Sequence, residues 1–417
     1  MFAPGAAQLA DDFRITSSTI VTFTVSIYIL GYVLGPLFLS PMSELYGRLI
    51  IYRACGVVYT IVTVGCALST NTAMFLVFRF ICGCAASAPL VITGGTIADL
   101  YVPSERGTAM ALACIGPLLG PALGPVIGGF VARDLGWRWT FWFILILAGA
   151  ATVATFFLMK ETFEPALLKR RATIAQTVSD SNGAYVTGPS PTQLLKRTAI
   201  RPLRILFLSP VVFLLSLYTG FIYGLIYVLF TTFPDVYIGR YGFTTELSGL
   251  VYLGLGLGML VSLMFCIFLG DRLMANGTTG RSREPERRLL PMLWFSLVLP
   301  VGFFWYGWSA YKAAPWIVTI LGTLLIGVGS MMILIPVQSY LVDAFDCEAA
   351  ASAIAAATIV RSLFGAFLPL TSAPLYRALG LGWGNSLLGF IALTFSPVPY
   401  LFYRYGERLR AQFTIRL

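Results

Sequence analysis

The chain contains no histidine. That removes at once the commonest general base, proton shuttle and metal ligand, and with it the histidine-rich membrane enzymes. Charge is scarce as well: 11% of the 417 residues are charged and 58% are hydrophobic, with a mean hydropathy of +0.83. Such a balance excludes a soluble globular enzyme. Acidic residues are the rarer sign, 18 against 28 Lys and Arg, for a net charge of +10. The basic residues form no stripe or patch. They lie in short polar gaps between apolar runs, the pattern of cytoplasmic loops, so no nucleic-acid partner is expected. Cys55, Cys66, Cys82, Cys84, Cys114, Cys266 and Cys347 sit mostly inside apolar runs and read as small buried hydrophobes. Cys82-Gly-Cys84 lacks a third and fourth ligand nearby. Neither a metal nor a cofactor is expected, and no nucleophile, base or paired intramembrane aspartates converge on a catalytic centre.

What is abundant is apolar runs of bilayer length. Eleven are legible, at about 19–39, 52–70, 73–98, 108–132, 139–158, 205–233, 246–270, 290–310, 315–342, 350–376 and 383–403. The gaps alternate. Those around Arg48 and Arg106, the Lys160–Arg204 stretch, Asp271–Arg288, Asp343–Glu348 and the tail from Arg404 hold most of the Lys and Arg; the others hold Arg14, Arg133, Arg138, Arg240, Lys312 and Arg377. The positive-inside rule therefore puts the first set in the cytoplasm, with the N-terminus outside and the C-terminus inside. On this topology the Asn276-Gly-Thr278 sequon is cytoplasmic and unmodified. The opening MFAPGAAQLADDFRITSS is neither a signal peptide nor a spanning segment.

The polar stretch from Glu161 to Arg204 divides the chain nearly in half and reads as a linker. TIADLYVPSERGTAMALA around Asp99 aligns with SYLVDAFDCEAASAIAAA around Asp343, and GWRW at 136–139 answers GWGN at 382–385, each about 40 residues on. The order and spacing favour a parallel repeat of two helical bundles. The expectation is an all-α membrane protein with two pseudo-symmetric bundles: residues 1–158 with five spans, a cytoplasmic linker at 159–204, and residues 205–417 with six.

Four constellations carry candidate chemistry. GPLLGPALGPVIGG places Gly116, Gly120, Gly124 and Gly128 on one helix face, with Gly129 beside them. Pro117, Pro121 and Pro125 bend that helix and loosen its backbone. It reads either as a close-packing pair or as a helix set against a moving partner. Arg79 and Arg361 are charges inside apolar runs, costly and hence functional hypotheses. Arg79 either snorkels to an interface or faces a central cavity; for Arg361 a structural hydrogen-bonding role competes. Glu44 and Arg48, four apart, share a face at a cytoplasmic helix end with Gly47 between them, and Asp99 ends another helix on that side. These are solvated loop charges or an inner gate. Tyr218, Tyr223 and Tyr227 share one span, as packing anchors or as the lining of a cavity for flat, largely apolar molecules.

These stretches together resemble fungal major facilitator transporters of the twelve-span drug:proton antiporter type. Gly35 through Arg48 resembles that family's loop motif after the second span, with Glu44, Gly47 and Arg48 at its charged and turn positions. Arg79 and Gly83 match the fourth-span motif whose arginine is implicated in proton coupling. Gly116, Gly120, Gly124, Pro125, Gly128 and Gly129 match the fifth-span antiporter motif of exporters, and EPERRLLPM and ASAIAAATIVRSLFG also look like this group. Two departures stand out. Ala357 stands where relatives usually carry asparagine, and MFAPG resembles the end of the first span, so most of that helix is missing. The resemblance implies a monomeric plasma-membrane exporter that moves small amphiphilic drugs, toxins or secondary metabolites through the lipid bilayer in exchange for protons. The alternatives are a nutrient or polyamine uptake carrier of the same fold, or an inactive truncated paralogue.

Overall fold

Long apolar stretches in a bilayer must satisfy their backbone internally, which leaves the helix as the available element for such runs. The computed structural model describes residues 1–101, 106–163, 167, 191–275, 285–345 and 347–412, and among these it is helical and contains no strand. Asn276 and most of the linker lie outside the described residues. A short α1 (Ala6–Asp12) leads into α2 (Ser18–Tyr46), α3 (Arg48–Ala67), α4 (Thr72–Leu100), α5 (Arg106–Leu135) and α6 (Trp137–Leu158). After the linker come α7 (Pro191–Leu208), α8 (Pro210–Tyr241), α9 (Thr245–Leu250), α10 (Tyr252–Ala275), α11 (Leu290–Phe295), α12 (Val298–Tyr311) and α13 (Trp316–Ala344). The chain closes with α14 (Cys347–Phe367), α15 (Ser372–Phe395) and α16 (Val398–Gln412).

Among the described residues, ten helical stretches are long and apolar enough to cross a membrane. The last, Ser352–Gly406, is 55 residues long, far more than one crossing requires at about 1.5 Å per residue. It turns at Gly380, whose φ of 71° and ψ of 175° break the helix, so it holds both of the runs read there. The repeat partner in the first half is Gly136, with φ 89°. The second-half turn thus falls two residues before the Gly382 that the GWRW–GWGN alignment pairs with it.

Two boundaries differ from the sequence reading. The stretch read as a linker up to Arg204 ends in a helix: Pro191–Leu208 is helical, burying Ile205 and Leu206 while leaving Ile200 and Phe207 exposed. The next span then starts at Pro210, capped by Ser209, whose hydroxyl accepts from Val212 N. It also continues past 233 to Tyr241, where Gly242 in the left-handed region ends it. Asp235 consequently lies within a spanning helix, a carboxylate that the run-length reading left outside.

Helices α2 to α6 pack among themselves, as do α8 and α10 to α15, and two seams join the groups: α2 against α14, and α5 against α9 and α10. Large apolar side chains face outward along the helices, among them Ile61, Ile146, Phe157 and Trp294, as lipid-facing surfaces require. The opening segment is inserted into the first group. Phe2 and Leu9 are buried, and Phe2 packs on Phe75, Trp137 and Phe141. Asp12 anchors the segment, accepting from the Trp137 indole at 2.8 Å and from Arg138 at 2.6 Å. Those two donors, the indole first, hold its carboxyl below the ordinary carboxylate range.

Candidate functional site

The first site is set by two helices that touch backbone to backbone. A side chain on Gly83 would collide with the Tyr28 carbonyl, and one on Gly31 with the backbone of Gly83 and Cys84. Small residues thus let α2 and α4 close completely. Arg79, one turn before Gly83, is thereby pressed against the backbone of α2. Its Nε lies 3.4 Å from Thr24 O and one terminal nitrogen 3.5 Å from Val25 O, both long contacts. Its guanidinium also lies 5.1 Å from the ring of Tyr28, 5.2 Å from Phe2 and 5.6 Å from Phe141. Three aromatic faces hold the charge inside the helix group; Arg79 does not reach out to an interface.

Each group holds a tyrosine pair. Tyr28 and Tyr32 lie hydroxyl to hydroxyl at 3.3 Å. Tyr223 and Tyr227 repeat this one turn apart on α8, with ring centroids 4.9 Å apart. Arg361 sits on the Tyr223 ring at 4.9 Å, its Nε buried without a hydrogen-bond partner. The two groups meet here, since the space beside Gly365 is shared by Tyr223 and Ile29. Arg361 also lines a small cavity with Thr219, Gln338, Ala357 and Thr358. Tyr218 is not part of this assembly. It is 1% exposed and stacks on Phe395 in the core of the second group.

At the Arg48 end, Gly47 turns the chain with φ 99° and ψ 155°, a conformation that favours glycine. Arg48 then reaches Asp99 at 3.3 Å and donates to Ser43 Oγ at 3.0 Å. The Glu44 side chain lies outside the described residues. Glu161, which sequence reasoning assigned to the linker, completes the cluster. Its carboxylate accepts from the backbone N–H of Arg48 at 2.9 Å and of Leu49 at 3.1 Å, and from those of Thr162 and Phe163. An anion at the start of α3 offsets the positive end of that helix and occupies donors with no partner within it. The signal was present: Glu161 directly follows an apolar run ending on the same side as the start of α3.

The Gly–Pro stretch forms one continuous helix, α5, and packs across the second seam. A side chain on Gly249 would meet Pro125 O at 2.5 Å, and one on Gly129 would meet Thr245 O at 3.1 Å. Gly124 and Gly128 instead face Met1, while Gly116 and Gly120 have open space beside them. The four-residue period therefore meets the opening segment through Gly124 and Gly128, while the seam is contacted by Gly129, which stands off that period. Near this seam Arg133 pairs with Glu246 at 2.9 Å, and at the same end Arg377 donates to Ser18 Oγ at 2.6 Å.

Two helix groups meeting along paired seams, each with a half-buried arginine set on tyrosine rings within its spans, have the build of a membrane carrier. Among solved structures the chain is similar to the proton:xylose symporter XylE bound to 6-bromo-6-deoxy-D-glucose, with TM-score 0.71 and 18% identity over 99% of this chain and 95% of that one. Residues 1–369 match the Major Facilitator Superfamily. Curated relatives include MFS transporter prlG from Fungal sp. (strain NRRL 50135), 59% identical over 100% of this chain and 89% of the relative. Another is a trichosetin biosynthesis cluster MFS transporter from Gibberella fujikuroi, 53% identical over 100% of this chain and 82% of the relative. The chain belongs to the major facilitator superfamily; it is an integral, multi-pass membrane transporter of the fungal kind and not an enzyme.

Proposed function

We propose that this chain exports a small amphiphilic compound, a secondary metabolite or a drug of similar chemistry, across the plasma membrane in exchange for protons. The observation that carries the reading is a tyrosine pair beside an arginine in each group, Tyr28–Tyr32 with Arg79 and Tyr223–Tyr227 with Arg361, at the seam where Ile29 and Tyr223 meet beside Gly365. Rings with hydroxyl tips suit a flat, largely apolar solute carrying a few polar groups. Alternating access then requires the two groups to part at one end and close at the other. The Gly129–Gly249 seam and the Arg133–Glu246 pair are the contacts that must break at one end. The Arg48–Asp99–Glu161 cluster holds the gate region at the other. On this reading Asp235 within its spanning helix and Asp99 at the gate are the carboxylates available to carry protons, and Arg79 is the fixed charge for coupling. The relative from a biosynthesis cluster supports metabolite export over uptake.

The test is efflux from pump-deficient yeast expressing a surface-tagged chain, over a panel of azoles, dyes and fungal metabolites. Depletion of a panel member that a protonophore abolishes is the expected result. Net accumulation of substrate inside the cells would replace export by uptake.

A further inference from the structure

We infer that the transported molecule is bound as an anion, an amphiphile with one acidic group, and that Arg361 is the residue that holds that group. The inference deepens the export reading and rests on it for the word transported; the binding site itself does not. The argument begins with cost. A guanidinium stays charged in any protein, and a charge taken from water into a spanning segment requires a counter-charge or hydrogen-bond acceptors. Arg79 has them in part: two carbonyls and three ring faces. Arg48 has Asp99, Arg133 has Glu246 and Arg138 has Asp12. Arg361 has neither a carboxylate nor a hydrogen-bond acceptor among the described residues. Its one partner is the face of Tyr223, and its Nε is buried with no acceptor.

The surroundings fit a single acidic group on an apolar body. Beside Arg361 stands Gln338, whose side-chain amide can donate to the second oxygen of an acidic group, with Ala357 leaving room next to it, while the Thr219 and Thr358 hydroxyls donate to carbonyls of their own helices. Tyr223 and Tyr227 supply the surface for a flat apolar body. The space beside Arg361 amounts to about 10 Å³, that of one water. Every residue lining it belongs to the second helix group, so that group's helices must shift to admit a solute, which couples occupancy of the site to a conformational change. A neutral solute would leave the Arg361 charge uncompensated in the closed state, whereas an anion neutralises it. Selectivity for acids follows from that difference, and it acts most strongly when water is excluded.

The experiment compares two probes of nearly equal shape, 1-pyrenebutyrate and 1-pyrenebutanol, on the purified full chain in nanodiscs. Binding is read by fluorescence anisotropy after subtraction of partitioning into empty discs. A charge-assisted pair predicts tighter binding of the acid by about tenfold or more. Arg361→Gln is expected to bring the two affinities together by weakening the acid alone, and Arg361→Lys to keep most of the preference. Raising ionic strength should leave the preference largely intact, because a partly buried pair is screened much less than an exposed one. Equal affinities in the wild-type chain, or no binding of either probe, would overturn the inference, as would an undiminished preference in Arg361→Gln. The two readings fail separately. Acid-selective binding with no efflux from yeast removes export and leaves the site, while efflux of both probes alike removes the anion site and leaves export.

Discussion

Two arginines within spans occupy opposite situations. Arg79 is clasped by three rings and two carbonyls, whereas Arg361 has one ring and a buried, unpartnered nitrogen. Substitutions should separate them. Arg79→Ala is expected to abolish efflux with the protein still at the cell surface. Arg79→Lys should restore little, because a compact ammonium cannot cover three ring faces as a planar guanidinium does. Efflux retained in Arg79→Ala would remove its coupling role. Apolar run length made both arginines visible, since a charge inside a spanning run stands out whatever its surroundings. Which of them has a partner was not visible, because the partners of Arg79 come from α2, α6 and the opening segment. Asp12 permits a test of pH dependence. Its carboxyl is held low by Trp137 and Arg138, so its contribution to docking the opening segment is complete above the ordinary carboxylate value of about 4. That contribution is lost as pH falls through the lower, folded-state value. Hydrogen exchange in residues 1–15 should accelerate only under such acid conditions, and an equal acceleration in Asp12→Asn at neutral pH would match it.

Element by element, close contacts rest on what the side chains lack. Gly31 and Gly83 let α2 and α4 touch, and that contact delivers Arg79 to the α2 carbonyls. Gly83→Leu should therefore cost about 1–3 kcal/mol or more through overpacking, read as a smaller monodisperse fraction in size-exclusion chromatography. Wild-type behaviour would mean that the helices are not in contact. Glu161 is the counterpart at the helix end. Glu161→Ala leaves the N–H groups of Arg48 and Leu49 without their acceptor and is expected to cost about 1–3 kcal/mol. Thermal unfolding in detergent should show a lowered midpoint, with Glu161→Gln between the two. The glycine period of α5 was plain from spacing, yet what lies against it was not. Gly129 lies across the seam while Gly124 and Gly128 face Met1, and periodicity specifies a face without naming what lies against it. In the same way composition located Gly47 and Arg48, but Glu161 lies more than a hundred residues from them and only the packing of α6 against α3 brings it there.

For the whole molecule the decisive feature is that two helix groups touch along two seams and are latched by polar pairs at the Arg133 end. The division into halves followed from the linker and the repeat, because both are written in consecutive residues. Asp235 was missed for the opposite reason: a proline at 234 and a charge beside it read as a helix end, while the helix continues to Tyr241 with Pro234 inside it. The account stands or falls on whether the two groups part at the Arg133 end during each cycle. The direct measurement is efflux by a chain carrying Arg133→Cys and Glu246→Cys, bridged with a bis-methanethiosulfonate linker and then released with dithiothreitol, beside the wild-type chain treated identically. The account predicts that bridging stops efflux in the double variant alone and that reduction restores it. Undiminished efflux from fully bridged protein would contradict it.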